Sequence, residues 1–327
     1  MASDFKTIPV IGESSSSGAP PASFWFSIWC PIMGGQESKE EMSLQKDSDN
    51  SGRVKFSISM KFQARCEVIS RVLRAVNIAT MIQESFLCTD ISPLLEKCDE
   101  PNLEEDPSVL EVVRLLDQAC KEAGFFYVTG HGVSDSLIKQ VKDVTHKFFE
   151  LPIDEKVRIK MSSTTGFSVI ERWDLGCMEN LGKLWKALIH DLSRKIMRGI
   201  ALALGGPVDA FEGLLTLVNQ DDDITALQVR NLSGEWINAM PIPGSFVCNI
   251  GDMLKVLSNG LYEPTLHRVI NNSSKYRTSI AFFYEPNFDV PMEPLDFCKQ
   301  KTGGIAKFEK VIYGEHLISK VLTNFVM

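Results

Sequence analysis

Two stretches decide how this chain folds: Leu266-His267-Arg268-Val269 and, after a short turn, Tyr276-Arg277-Thr278-Ser279-Ile280-Ala281-Phe282-Phe283. Both are runs of β-favouring residues bounded by turn residues, so each predicts a strand. Arg277 and Ser279 stand two positions apart, which points both side chains to the same face of a strand. An arginine fork pairs with a carboxylate, and a neighbouring hydroxyl can donate to the same group. The second stretch therefore predicts a carboxylate-binding clamp.

The predicted clamp of Arg277 and Ser279 makes His267 a stronger candidate for a metal ligand. A lone histidine in a strand is more often an ordinary half-buried side chain than a metal ligand. A buried arginine without a partner is costly, however, and a ligand carboxylate removes that cost. An imidazole beside such a clamp suits a metal site that binds a small dicarboxylic acid, and open iron sites of this kind use two histidines and one carboxylate.

Length, charge and cysteine usage exclude several classes of protein. The 327 residues allow one large domain or two smaller ones, and the net charge of -8 argues against a nucleic-acid or anionic-membrane partner. No apolar run reaches the roughly 18–20 residues that span a bilayer. The eight cysteines include no Cys-x-x-Cys pair, which predicts reduced, buried thiols and a cytoplasmic protein.

Orderly patterns begin at Asp90. Helices are predicted from Pro107 to about Ala123, from Ser134 or Asp135 onward, and from about Leu181 to Leu204, with a buried strand at Phe125–Val128. Beyond Gly213 the chain alternates short strands with turn residues, which is typical of a sandwich or jelly-roll barrel. The predicted strands are Leu214–Val218, Ala226–Val229, Glu235–Ala239, Ser245–Ile250, Thr265–Ile270 and Arg277–Tyr284, and a helix is predicted at Tyr313–Phe325.

In combination these segments resemble the plant Fe(II)/2-oxoglutarate-dependent dioxygenases, a family similar to isopenicillin N synthase. The matching sequences are Ile8–Ile11 with Asp90-Ile91-Ser92, Glu122–Val133, Phe148–Lys156, Asn249-Ile250-Gly251-Asp252, Asn259–Tyr284 and Tyr284-Glu285-Pro286. The resemblance implies an α+β fold with a double-stranded β-helix, a jelly-roll or cupin-like barrel flanked by helices. It also implies an oxidoreductase that acts on a small organic substrate and uses Fe(II) and 2-oxoglutarate.

The same resemblance implies roles for three residues. His267 corresponds to the distal iron ligand, while Arg277 and Ser279 correspond to the residues that bind the far carboxylate of 2-oxoglutarate. The family's other two iron ligands form a His-x-Asp motif directly before a strand like the one at Gly213. Here the preceding residues are Val208-Asp209-Ala210-Phe211-Glu212, and no histidine lies between 190 and 267.

The broken motif divides the interpretation. Asp209 or Glu212 are expected to serve only as weak substitute ligands. The barrel is also predicted to be incomplete. The chain is then an oxidoreductase of this family or, alternatively, a catalytically inactive remnant or splice variant that acts at most as a binding module. The sequence names neither the substrate nor an oligomeric state.

The domain organisation follows from the same breaks. Residues 1–11 are predicted as the first strand of an N-terminal module, and residues 12–89 as a poorly ordered insertion with a linker-like start and a candidate helix over residues 63–86. The module continues over residues 90–161, residues 162–212 form a helical remnant, and residues 213–327 form a partial dioxygenase barrel.

Three further patterns favour ordinary structural roles. His131 stands between two glycines after a strand, where a histidine is far more often structural than a ligand. His146, His190 and His316 are expected at helix surfaces or ends, without a role. Asp221-Asp222-Asp223 is interpreted as a solvated turn, because adjacent acids on a strand alternate faces and cluster poorly around a cation.

The abrupt edges of these segments lead to a first prediction. Our hypothesis is that residues 12–89 are translated intron and that coding segments are skipped near residues 168 and 212. We expect genomic sequence to show splice boundaries at codons 11 and 89 and the missing coding segments beside codons 168 and 212. Full-length transcripts that keep residues 12–89 in several tissues would contradict the hypothesis.

Overall fold

The computed structural model describes residues 24–29, 86–100, 102–157, 177–231 and 233–324. The predicted strand Ile8–Ile11 lies outside these residues, as does the predicted helix over residues 63–86 except for Phe86. The strands are β1 (Phe24–Trp29), β2 (Cys88–Asp90), β3 (Phe125–Thr129), β4 (Leu215–Gln220), β5 (Leu227–Arg230), β6 (Trp236–Asn238), β7 (Phe246–Ile250), β8 (His267–Val269), β9 (Ser279–Tyr284), β10 (Pro291–Met292) and β11 (Val311–Ile312). The helices are α1 (Ser92–Lys97), α2 (Pro107–Glu122), α3 (Asp135–Glu150), α4 (Ile153–Val157), α5 (Cys177–Ala203), α6 (Asp252–Leu257), α7 (Asp296–Lys301) and α8 (Tyr313–Asn324), with a 3₁₀ turn at Leu103–Glu105.

Two sheets organise the barrel region. The larger has the strand order β1-β9-β4-β7-β3-β2, and the smaller has the order β6-β5-β8. Every pair is antiparallel except β2 with β3, which is parallel. A two-stranded ribbon of β10 and β11 stands apart from both sheets. The predicted combination of helices with a predominantly antiparallel β region is confirmed.

Helices cover one face of the larger sheet. Ile280, Phe282 and Tyr284 of β9 point to this face and share one apolar cluster with α2 and α5. Helix α5 buries a stripe at helical spacing, formed by Trp185, Ile189, Leu192, Ile196 and Ile200. Leu184 and Leu188 carry the same predicted periodicity but are 50% and 39% exposed. The helix is therefore predicted correctly, and so is its buried face at Leu192, Ile196 and Ile200, whereas in its first half Trp185 and Ile189 are buried in place of Leu184 and Leu188.

The smaller sheet packs against the opposite face of the larger one. Phe125 and Tyr127 from β3 and Val247 from β7 meet Leu227 and Val229 from β5 in a second apolar cluster. We call the space between the two sheets the interlayer. Since each strand alternates between the interlayer and the other side, its register decides which side chains can reach a ligand there.

The predicted helix starts have identifiable caps. The Ser134 hydroxyl accepts the Leu137 N–H at 3.3 Å at the start of α3. The Asp106 carboxylate accepts the N–H groups of Ser108 and Val109 at the start of α2, where Pro107 occupies the first turn. These bonds satisfy helix N–H groups that have no intrahelical acceptor.

Strand β1 lies near the start of the predicted insertion. Its backbone pairs with β9 over all six residues, from Phe24 opposite Tyr284 to Trp29 opposite Ser279. The rest of the insertion up to Ser85 lies outside the described residues. The expectation of poor order stays a prediction there, while these six residues form a strand.

Two further observations concern the surface and the thiols. In the described part of the chain, no helix combines the length and the apolar character needed to cross a bilayer. Cys98, Cys120, Cys248 and Cys298 are free and buried, as the sequence predicts, whereas Cys88 is free and exposed.

The start of α8 is attached to the end of β9 by a buried polar contact. Tyr313 donates its hydroxyl to the carboxylate of Glu285, and its N–H bonds to the Val290 carbonyl at 3.0 Å. Desolvation raises the pKa of Glu285 to about 7, and the hydrogen bond from Tyr313 offsets part of that rise. Glu285 is therefore a buried acid that ionises close to neutral pH.

The pKa of Glu285 predicts a pH-dependent stability. A carboxyl group whose pKa is higher in the folded state stabilises the fold below its unfolded pKa, and this contribution is lost as the pH rises through about 7. Glu285→Gln should remove up to about 3 kcal/mol of this loss between pH 5 and pH 8. Chemical denaturation across that range measures the effect. Tyr313→Phe should steepen the pH dependence, and an unchanged pH profile in Glu285→Gln would contradict the assignment.

Candidate functional site

The strand registers bring the predicted site residues to the interlayer. His267 of β8 stands opposite Val229 of β5, which belongs to the second apolar cluster. Ser279 of β9 stands opposite Gln220 of β4, on the same side of β4 as Val218, which packs against that cluster. Residues directly opposite each other share a face, so His267 and Ser279 both face the interlayer.

His267 has one nitrogen available for a ligand. Its ring meets Phe125 edge-to-face at 5.1 Å, and its Nδ1 lies 3.2 Å from the Thr265 carbonyl oxygen. Since a carbonyl only accepts, Nδ1 carries the hydrogen and Nε2 presents its lone pair. His267 has an exposed surface, yet desolvation by the surrounding protein lowers its pKa, partly offset by the bond to Thr265. The His267 ring is thus neutral, and its Nε2 lone pair can bind a metal ion.

Arg277 is the largest of the most deeply buried side chains, with 1% of its surface exposed. Its Nη1 donates to the Ser279 hydroxyl at 3.1 Å and its Nη2 donates to Gln220 Oε1 at 3.0 Å. Both partners are neutral, and no carboxylate of the described ranges forms an ion pair with the guanidinium. Burial lowers the pKa of Arg277 to about 10, and the charge of Asp221 counters part of that shift.

Two buried donors beside this guanidinium remain unused. Arg277 Nε and Gln220 Nε2 are both buried and find no hydrogen-bond acceptor among the residues that the structure describes. A buried polar group without a partner costs free energy, so each such group needs an explanation. A carboxylate is the ligand that an arginine with a free Nε–H and a neighbouring amide N–H would accept. The predicted clamp therefore fits one carboxylate end of 2-oxoglutarate.

Gln220 was not among the residues that the sequence predicted for this site. The signal available was a pair of amides, Asn219-Gln220, at the end of an apolar strand. Only the register with Ser279 shows that Gln220, and not Asn219, faces Arg277. Asn219 stands opposite Ile280 and faces the first apolar cluster, where its Oδ1 is buried without a donor.

The acidic triplet after β4 is more structured than the predicted solvated turn. Asp221 is 9% exposed and accepts the Thr278 N–H at 2.5 Å, and His146 Nε2 lies 3.6 Å from its other oxygen. Asp222 pairs with Lys142 at 3.1 Å and Asp223 with Lys275 at 2.5 Å. The carboxylates diverge to separate partners, so the expectation that they do not form a cation site is consistent with their geometry. The expectation of solvation is wrong for Asp221.

The described residues do not assemble a three-ligand iron site. All five histidines of the sequence fall within the described ranges, and there no group of three or more His, Cys, Asp or Glu side chains is placed to hold a metal ion. The four other histidines each have neighbours elsewhere: Gly244 and Val133 for His131, Asp221 and Thr278 for His146, Tyr284 for His190, and Asp252 for His316. His267 stays a predicted iron ligand without a second histidine beside it.

The predicted substitute ligands lie before the start of β4. Asp209 and Glu212 are both exposed. Desolvation lowers the pKa of His190 and raises that of Tyr284, and the nearby charge of Glu212 acts on both, whereas in the described part of the chain no carboxylate contributes to the pKa shift of His267. Gln220 and the clamp lie at the other end of β4, about 17 Å along the strand. The roles of Asp209 and Glu212 therefore remain predictions, and their position does not favour them.

The backbone between these acids and β4 is strained. Gly213 has φ 89° and Leu214 has φ 76°, and Leu214 is buried. Glycine adopts this left-handed region freely, whereas a leucine there is an outlier with a cost on the order of 1–3 kcal/mol. The strain falls directly before β4, where the sequence predicts a break in the family's pattern.

Two family models match the chain. Residues 89–174 match the model described as non-haem dioxygenase in morphine synthesis N-terminal, and residues 202–286 match the 2OG-Fe(II) oxygenase superfamily. The second match includes Gln220, His267, Arg277 and Ser279.

Curated plant proteins match over nearly their whole length. A homoarginine-6-hydroxylase of Oryza sativa subsp. japonica is 51% identical over 317 aligned positions, which include 73% of this chain and 97% of that protein. A homoarginine-6-hydroxylase of Glycine max is 48% identical and includes 72% of this chain and 96% of its own length.

Solved structures show the same fold. The full-length Neurospora crassa T7H in complex with alpha-KG superposes with a TM-score of 0.62 at 20% identity, covering 72% of this chain and 96% of that one. The rice dioxygenase for auxin oxidation superposes with a TM-score of 0.59 at 22% identity, covering 73% and 96%. The predicted double-stranded β-helix with flanking helices is thereby confirmed.

Proposed function

The chain belongs to the Fe(II)/2-oxoglutarate-dependent dioxygenases, oxidoreductases that act on small organic substrates, and from this premise we propose that it binds 2-oxoglutarate in the Arg277 clamp without completing an iron site of its own. The family's cofactors are Fe(II) and 2-oxoglutarate. We treat the two cofactors separately, because the described side chains suit 2-oxoglutarate and do not suit Fe(II).

The observation that carries the proposal is the buried guanidinium of Arg277. A cation 1% exposed with only neutral hydrogen-bond partners is a poor structural device, because desolvation of a charge is repaid only by an opposite charge. The free Nε–H supports a ligand carboxylate at this place. Arg277 would hold the far carboxylate of 2-oxoglutarate, and Ser279 would orient the guanidinium and bind the same oxygens.

Iron binding lacks comparable support. A facial site needs two histidines and a carboxylate, and His267 has neither partner near it among the described residues. We therefore assign no oxidation step to this chain. Asp209 and Glu212 would have to leave an exposed, strained loop to reach His267, which argues against their rescue of the site.

Two observations support the loss of a segment before β4. The alignment with the rice relative has more positions than the part of this chain that it includes, so the relative carries residues inside the matched region without counterparts here. Leu214, at the junction, adopts a left-handed conformation that a native loop would ordinarily give to glycine. Both agree with the skipped coding segment inferred from the broken motif.

For the substrate we infer homoarginine or a similar cationic amino acid, from the names of the rice and soybean relatives. A net charge of -8 is compatible with a cationic small molecule and argues against nucleic acid or an anionic membrane. The cytoplasmic location inferred from cysteine usage remains part of this proposal.

The binding half predicts a ligand-dependent stability. Millimolar 2-oxoglutarate should raise the melting temperature of the chain without added iron, because a ligand that binds only the folded state stabilises it. Arg277→Met should abolish the shift, and Ser279→Ala should weaken the affinity about tenfold. Glutarate, which keeps both carboxylates but lacks the keto group, serves as a matched ligand. No shift with either acid in folded protein would contradict the proposal.

The iron half predicts an absence of metal-dependent turnover. With Fe(II), 2-oxoglutarate and homoarginine, succinate release should not exceed that of His267→Ala, and an anaerobic Fe(II) titration should show no micromolar site in either protein. The rice homoarginine-6-hydroxylase provides the active control. A micromolar site that His267→Ala removes would show that other residues of this chain complete the metal centre.

A further inference from the structure

The buried clamp contains a neutral arm that none of the expected site residues provides. Gln220, 5% exposed at the last position of β4, places its Oε1 3.0 Å from Arg277 Nη2. Its own Nε2 is buried and without an acceptor. Because Arg277 only donates, the amide must turn its oxygen to the guanidinium, and this orientation directs Nε2 away from Arg277.

We propose that Gln220 is a positioning residue that holds Arg277 in place without neutralising it, and that its Nε2 donates to the carboxylate which Arg277 binds. The inference rests on the proposed binding of 2-oxoglutarate and extends it to a residue on a different strand. Gln220 would then favour binding of a carboxylate, because its neutral N–H group lies beside the guanidinium and can donate to the same ligand group.

The backbone keeps this arm in register. Gln220 stands directly opposite Ser279, so the two neutral partners of Arg277 are a cross-strand pair. The pairing continues one residue further, where Asp221 N–H bonds to the Thr278 carbonyl at 3.1 Å and the Asp221 carboxylate accepts the Thr278 N–H. Slippage of β4 by one residue would replace Gln220 by Asn219, which faces the opposite side of the sheet.

The chemistry of the amide explains why a charged residue would not serve here. A glutamate of the same length would place a carboxylate against Arg277 and satisfy the buried charge internally. The cation would then no longer need a ligand. An aliphatic side chain would leave Nη2 without an acceptor, which adds another unpaired buried donor. Glutamine satisfies one guanidinium nitrogen and leaves the charge available.

The test compares two variants of Gln220 in the full chain at pH 7.5. Gln220→Glu should raise the melting temperature of the ligand-free protein by a few degrees, since it pairs a buried cation, and should eliminate the shift caused by 2-oxoglutarate. Gln220→Leu should lower the affinity for 2-oxoglutarate at least tenfold. If Gln220 were purely structural, both variants would have a lower melting temperature than the unmodified chain. A higher melting temperature in Gln220→Glu, together with the loss of its 2-oxoglutarate shift, therefore identifies the positioning role.

Asn219→Asp is the matched control. It makes the same chemical change on the neighbouring residue, but its carboxylate would face the apolar cluster of Ile280 and Leu217 on the other side of β4. Asn219→Asp should therefore lower the melting temperature. A comparable stabilisation in Asn219→Asp and Gln220→Glu would overturn the inference, because it would reflect net charge and not contact with Arg277.

The outcomes also separate the inference from the proposed function. If the unmodified chain binds 2-oxoglutarate and Gln220→Glu retains the same shift, Gln220 does not act on the clamp and the inference alone fails. If the unmodified chain shows no shift, the proposed function fails, and the ligand-free melting temperature of Gln220→Glu decides the inference. A decrease there would overturn it, and an increase would support an Arg277 charge held open by Gln220.

Discussion

A buried positive charge that forms no ion pair among the described residues is the constraint around which this structure is arranged. Arg277 is almost completely buried, and among the described residues its guanidinium has only an amide and a hydroxyl as hydrogen-bond partners. Such an arrangement persists only when the surrounding framework is rigid, since a mobile guanidinium would find water. The antiparallel pairing of β4 with β9 supplies this rigidity, because it places both partners of the guanidinium opposite each other. The clamp is therefore a property of strand register as much as of residue identity.

The two halves of the expected centre depend on different parts of the chain. The carboxylate half lies within one continuous block of strands, and its geometry is intact. The expected metal half combines His267 of β8 with the segment before β4, which contains the exposed Asp209 and Glu212 and ends at the strained Leu214. On the proposed loss of a segment before β4, the metal half would be affected while the β4–β9 pairing that holds the carboxylate half remains in place.

Sequence reasoning predicted most elements because local signals were strong. Pro107 with Asp106 before it, and Ser134 with its bond to Leu137, define helix starts that tertiary packing does not alter. The strands were found, but β8 is shorter than predicted at both ends: its paired register with β5 covers His267–Val269, although Leu266 also accepts the Arg230 N–H. The predicted buried face of α5 was wrong only in its first half, because Leu184 and Leu188 share the period of the core residues that follow them. Gln220 and Asp221 were missed for a different reason: their roles depend on which face of β4 they occupy, and that is decided by pairing with β9.

Strand β1 changes the order in which this molecule can assemble. It joins residues 24–29 to residues 279–284, so its pairing closes a loop that contains most of the chain. The entropy cost of such a closure is met only after the intervening elements have folded. During synthesis the β1 segment would therefore leave the ribosome long before its partner strand β9 is made. During that interval an unpaired β9 edge in one molecule and a free β1 segment in another are complementary, which favours exchange of this strand between copies over correct closure.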